Sequence, residues 1–145
     1  MGVRMRAVHQ LAFGGPGEMC VTEVECPEPV ATEVLVRVEA AGVNPVDAKF
    51  RAGVTPWGAL PFIPGWDVSG VVEAVAPGVT RFAPGDEVYG LVHFPWRGGG
   101  YAEYVTAPPR HLAHKPASLT HAEAAALAAG HDGLPGACAS SFVLG

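Results

Sequence analysis

Charge is scarce in this chain: Asp, Glu, Lys and Arg make up 16% of 145 residues, with a net charge of −5. A sparsely charged, acidic chain argues against nucleic acid or an anionic membrane as a main partner. Cysteine is scarcer still. Cys20, Cys26 and Cys138 are odd in number and lack metal-ligand spacing, so they form neither a disulfide framework nor a zinc set. Buried or incidental thiols in a reducing cytoplasm fit this usage, and a cytoplasmic location is the expectation. No apolar run is long enough to cross a bilayer, and the N-terminus carries no signal-peptide pattern. Internal repeats and low-complexity tracts are absent. There is no Gly-x-Ser-x-Gly elbow or paired carboxylate set, which removes the usual signs of hydrolysis. His93, His111 and His114 lack supporting carboxylates. The two of "HLAH" fall in a predicted strand, which sends them to opposite faces.

Glycine and proline, by contrast, are abundant, at 19 and 14 residues scattered along the chain. Such punctuation favours many short strands over a helical bundle. Strands are predicted at 5–13, 19–25, 33–42, 66–76, 86–92, 98–108 and 111–116. The clearest is "EVLVRVEAAG", where Val34, Val36 and Val38 share one face and Leu35, Arg37 and Glu39 the other. Gly70 sits inside a long strand, as a bend or close packing requires. "PVDAKFRA" predicts a short helix over 45–52, with Asn44 as N-cap and proline in the first turn. Thr120 and Glu123 form a capping box ahead of an alanine-rich helix. The fold class is mostly β with short helices (α+β), a barrel or sandwich closing on a terminal helix.

Two polar residues stand out in "GVNPVDAKF". Asn44 and Asp47 follow an apolar run and flank a proline. Both suit a turn, because their side chains bond to nearby backbone. Asp47 also suits a helix first turn, where the dipole favours a carboxylate, and Arg51, one turn on, is placed to pair with it. Trp57, Phe62 and Trp66 are candidates to wall an apolar pocket for a flat ring, with core burial the alternative for Trp66.

The stretch "GWDVSGVVEAVAPGVTRFAPGDEVYG" (65–90) resembles the signature region of the medium-chain dehydrogenase/reductase superfamily. The pattern falls on Gly65, Gly70, Val72, Val79, Gly85, Asp86 and Val88. "VEAAGVNPVDAKFRAG" and "GGYAEYVTAP" match the same family in the same order, so the likeness covers roughly residues 5–130. It implies a GroES-like fold, a partly open β-barrel forming the substrate half of these enzymes, here residues 1–130. Zinc-dependent members place a cysteine ligand where Asn44 stands and a His-Glu pair where Trp66-Asp67 stands. An indole does not coordinate zinc, and an amide oxygen poorly replaces a thiolate. The four-cysteine structural zinc loop is also missing. The chain therefore resembles the zinc-independent quinone oxidoreductase and enone reductase branch, with no metal expected. That resemblance implies NADPH as cofactor in a full-length relative and a quinone or conjugated carbonyl as substrate. Asn44 would then present its amide to the nicotinamide side or to the substrate carbonyl, with Asp47 beside it as the second catalytic candidate.

The superfamily's dinucleotide domain carries a glycine-rich phosphate loop, and the chain stops ahead of any such loop. Its last residues, "HDGLPGACASSFVLG", depart from the family, so 131–145 reads as a non-family tail without regular period. One-nucleotide displacement of a back-translated "HDGLPGAC" permits Met-Thr-Ala-Cys-Gln-Ala-Leu, close to the family's "LTAWQAL". A frame slip near Gly130 is therefore expected, against a trimmed chain or a true short protein. Without its covering domain the barrel is expected to self-associate through apolar surface around Leu60, Phe62 and Leu127. The alternative to an oxidoreductase substrate domain is a stand-alone GroES-like binding or assembly module.

Overall fold

The computed structural model describes residues 2–54, 59–131 and 140–143. β1 (Arg4–Gln10) and β2 (Met19–Glu25) pair antiparallel as a separate hairpin, with Arg4 opposite Glu25 and Gln10 opposite Met19. The main sheet is built from β3 (Val34–Val43), β4 (Asp67–Val75), β5 (Glu87–Leu91), β6 (Tyr104–Ala107) and β7 (Leu112–His114). Their order is β6-β3-β4-β5-β7, all antiparallel. Two α-helices complete the described chain, α1 (Pro45–Arg51) and α2 (His121–His131). The sheets are open, which is the partly open GroES-like barrel, an α+β fold.

The alternation in β3 decides the core. Val34, Val36 and Val38 are buried together with Val68, Val72, Val88, Val105 and Leu112, while Arg37 on the opposite face is exposed. A register shift between Val38 and Ala40 breaks the alternation, so Ala40 and Ala41 are both buried. Gly70 has a single purpose: a Cβ there would collide with the Arg37 carbonyl oxygen of the neighbouring strand. α2 lays Ala124, Ala125 and Ala128 onto the sheet. Small residues allow that close approach, and a Cβ on Gly42 would stand 2.8 Å from the Ala125 carbonyl oxygen. The predicted capping box is present. Thr120 N–H donates to Glu123 Oε2 at 2.8 Å, and Glu123 N–H donates to Thr120 Oγ1 at 3.2 Å.

The structure departs from expectation at two places. Ser140–Val143 form β8, antiparallel to the end of β3 with Ala40 opposite Val143. The composition of 131–145 does not announce a strand, but strand pairing engages main-chain groups that every residue carries. Arg51 does not pair with Asp47. Its Nε donates to the Gly14 carbonyl at 3.2 Å, and its own carbonyl accepts from Gln10 Nε2 at 2.8 Å. The helix end is thereby tied to the β1–β2 turn.

Candidate active site

The end of β3 delivers Asn44 to the start of α1 in an extended conformation (φ −123°, ψ 160°), and Pro45 sets the first helical turn. The turn closes as a capping box in which Asp47 carries the bond, its Oδ2 accepting from Asn44 N–H at 2.7 Å. The Asn44 amide turns instead to β4, where Nδ2 donates to Asp67 Oδ2 at 2.5 Å. Asn44 Oδ1 is buried and accepts no hydrogen bond from the described residues. Asn44, Asp47 and Asp67 are 7%, 6% and 0% exposed, so two carboxyl groups and an amide share one nearly dry cluster.

Tyr101 closes the cluster from the β6 side. Its hydroxyl interacts with the Asp47 carboxyl and lies 3.4 Å from the Gly42 carbonyl oxygen. Its ring rests on Gly65, at φ 92°, occupying the space a side chain there would need. Burial pushes the Asp47 carboxyl up to about 6. The Asn44 N–H bond opposes that rise, the charge of Asp67 adds to it, and the Tyr101 bond opposes it. Burial, with the Asp47 charge next, pushes the Tyr101 phenol well above its ordinary range. The cluster therefore holds a carboxylic acid that keeps its proton up to about pH 6.

Aromatic rings form a continuous wall beside it. Phe13 meets Phe62 at 6.5 Å, Phe62 meets Phe50 at 5.8 Å, Phe50 meets Trp66 at 4.8 Å and Trp66 meets Phe94 at 5.6 Å between centroids. Trp66 is 2% exposed, a core residue and no pocket wall. Phe62 does line a cavity, of about 770 Å3, between the β1–β2 hairpin and the β5–β6 connection. Asn44, Asp47 and Trp66 are not among its lining residues, and Trp57 lies outside the described residues. The predicted site thus splits: Asn44 joins Asp47 in the polar cluster, and Phe62 faces the cavity.

No group of three or more His, Cys, Asp or Glu side chains converges as a metal site among the described residues. The donors at the zinc-ligand positions of the resembling family are an amide bound to Asp67 and an indole packed on Phe50, a set that does not suit zinc. His111 ends a 3-10 turn (Pro109–His111) and only His114 lies in β7, so the two do not share the predicted strand; they still diverge, His111 packing on His93 and His114 on Phe82.

Three contributors escape sequence reasoning. Asp67 and Tyr101 join Asn44 from 23 and 57 positions away, and only "GGGYAEY" in a matched motif draws attention to the tyrosine. The third is a Ser-His-Glu relay. Ser69 Oγ lies 2.7 Å from His121 Nδ1, and His121 Nε2 lies 3.0 Å from Glu87 Oε1. Ser69 is fully buried and also donates to the Val88 carbonyl, so the relay pins α2 to β4 and β5 and has no room for a substrate.

The open GroES-like barrel is that of the N-terminal domain of medium-chain oxidoreductases, and here it carries a buried Asn-Asp-Asp cluster at its first helix. Residues 30–117 match the family described as the alcohol dehydrogenase GroES-like domain, and the chain belongs to that family, as a quinone oxidoreductase-like N-terminal domain. It is 38% identical over 125 residues to a quinone oxidoreductase of Rattus norvegicus, covering 85% of this chain and 37% of that protein. It is 40% identical over 116 residues to a 2-methylene-furan-3-one reductase of Solanum lycopersicum, covering 73% and 29%. The solved quinone oxidoreductase of Coxiella burnetii superposes with a TM-score of 0.83 at 33% identity, covering 86% of this chain and 41% of that one. A mycobacterial relative solved in complex with NADPH gives 0.76 at 38% identity, covering 84% and 36%. The chain therefore spans little over a third of the length of the rat relative, at 37%.

Proposed function

We propose that residues 1–130 are the substrate domain of an NADPH-dependent, zinc-independent oxidoreductase that reduces a quinone or conjugated carbonyl, with 131–145 a tail outside the family. The observation that carries this reading is the Asn44–Asp67 contact. Where zinc-dependent relatives by resemblance hold a thiolate and a carboxylate around a metal, this chain closes an amide onto a carboxylate at 2.5 Å. NADPH, when bound, supplies the hydride. Neither described α-helix follows a glycine-rich loop, so phosphate binding falls to a separate dinucleotide domain.

The roles follow from hydrogen-bond inventory. Asn44 has two amide hydrogens, and Asp67 takes one. The second polarises a substrate carbonyl oxygen as negative charge develops on it. Asp67 orients that amide. Asp47, an acid up to about pH 6, holds a proton beside the site, and Tyr101 keeps the carboxyl in place. The similarity to quinone oxidoreductases and to a furanone reductase supports a small, flat carbonyl substrate. No helix among the described residues is long and apolar enough to cross a membrane.

The test is a fusion of residues 1–130 to the dinucleotide domain of the Coxiella burnetii relative. The chain by itself should show no saturable NADPH binding and no quinone turnover. The fusion should oxidise NADPH with 1,4-benzoquinone, and Asn44→Ala should lower kcat by about 10- to 1,000-fold, the range for a lost oxyanion donor. A folded fusion that binds NADPH and reduces neither quinones nor enones would favour a stand-alone binding or assembly module instead.

A further inference from the structure

The 770 Å3 cavity lies apart from the Asn44 cluster and falls in the range of small-molecule sites. Phe50, Phe62, Trp96 and Tyr104 supply aromatic walls, and His93 is placed among them. Four rings around one space favour a flat aromatic guest.

His93 is held with unusual care. Its backbone sits in the left-handed region at φ 56°, which non-glycine residues adopt uncommonly. Its N–H donates to His111 Nδ1 at 3.2 Å, and the two rings meet edge to face at 5.6 Å. Its Nε2 lies 2.8 Å from the Thr106 carbonyl oxygen. A carbonyl only accepts, so Nε2 carries the hydrogen in that bond. Burial holds the imidazole below its ordinary range against the pull of the Thr106 carbonyl; the charges of Arg97 and Arg110 work with burial and that of Glu33 against it. The ring is therefore neutral near pH 7. Its Nδ1 keeps a lone pair that no donor among the described residues engages. A neutral, fixed acceptor in an aromatic cavity suits a hydroxyl attached to a ring.

We infer that this cavity binds a phenolic or hydroquinone ring, with His93 Nδ1 accepting the ring hydroxyl and Phe62 and Trp96 flanking its faces. The inference deepens the oxidoreductase reading and rests on it for one point, that a hydroquinone is what quinone reduction yields. The site itself is testable without catalysis, in this chain alone.

The probes are 2-naphthol and 2-methoxynaphthalene, which share a ring system while only the first can donate. Titration followed by amide chemical shifts should give 2-naphthol an affinity about tenfold the higher, the discrimination of one neutral hydrogen bond. Perturbed amides should cluster at Phe62, Ile63, His93, Phe94, 96–99 and 104–106. His93→Gly tolerates the left-handed backbone and removes the acceptor, so the two probes should then bind equally. Equal affinities in the unaltered chain, a preference that survives His93→Gly, or shifts centred on α1 would each overturn the site. The unaltered chain decides the first and third even if the variant folds poorly. Failure here leaves the NADPH fusion assay untouched, and failure of that assay leaves phenol binding standing.

Discussion

Asn44 gives a side-chain amide hydrogen to Asp67 across 2.5 Å, joining the cap of α1 to the first residue of β4. Asp67 is fully buried, so this donor helps offset the cost of keeping a carboxyl group away from water. Asn44→Ala should cost about 1–3 kcal/mol, the cost of taking a hydrogen-bond donor from a buried polar group. Urea unfolding of the two proteins checks this, and a midpoint within error of the parent would show that the contact adds no stability.

Asp47 makes that stability depend on pH, with a sign opposite to that of a salt-bridged acid. Its folded value of about 6 lies above the ordinary 3.8. Between those values the folded chain keeps a proton that the unfolded chain has released. The Asp47 contribution is therefore greatest at low pH, falls as pH rises through about 4 to 6, and is flat above. Asp47→Asn removes this slope. The variant's stability deficit should shrink between pH 4.5 and 7.5, measured by urea melts at each pH. A deficit that grows over this window would reverse the assignment.

Gly70 and Gly17 separate two reasons for glycine. A methyl at Gly70 meets the Arg37 carbonyl oxygen, a backbone atom that has no rotamer to escape into, whereas nothing lies within 4 Å of one at Gly17. Gly70→Ala should cost about 3 kcal/mol or more, as overpacking does at its upper end. Gly17→Ala should fall within about 0.5 kcal/mol of the parent. Thermal melts of the pair are sufficient, and equal shifts would contradict the packing.

Ser69→Ala removes the inner end of the Ser69–His121–Glu87 relay. The expected loss is about 1–3 kcal/mol. Hydrogen exchange should quicken at the first turn of α2 and leave β3 protected. Uniform loss of protection would mean that the relay has no local role.

The strands of the barrel were legible because their cause is local. Val34, Val36 and Val38 announce a buried face by alternation, and the proline-glycine turns mark where each strand stops. The Thr120–Glu123 cap is legible for the same reason, since both partners lie in one turn. Asn44 and Asp47 could be named as a pair, but not their partners. Asp67 and Tyr101 reach them only through the pairing of β3 with β4 and β6, which no short pattern encodes. Arg51 shows the same limit: the helix offers it Asp47, and the folded β1–β2 turn offers it Gly14 instead. For Trp66 the sequence offered a pocket wall with core burial the more usual place for an indole, and the structure packs it against Phe50 and Phe94 in the core. His93 carries no signal in its neighbours, because its fixed ring depends on Thr106 and His111.

β3 has two partners along one length, β6 against Val34–Arg37 and β8 against Ala40–Val43. The second pairing acts as a cover for an otherwise open rim. Strip Ser140–Val143 away and alternate residues of Ala40–Val43 present bare N–H and C=O groups at that edge, a template on which an extended peptide can pair. What those four residues contribute is occupancy by backbone, and backbone pairing asks little of side-chain identity. A segment without an alternating pattern can thus serve as a guard against fibre-like association, provided that it reaches the rim and carries no proline there.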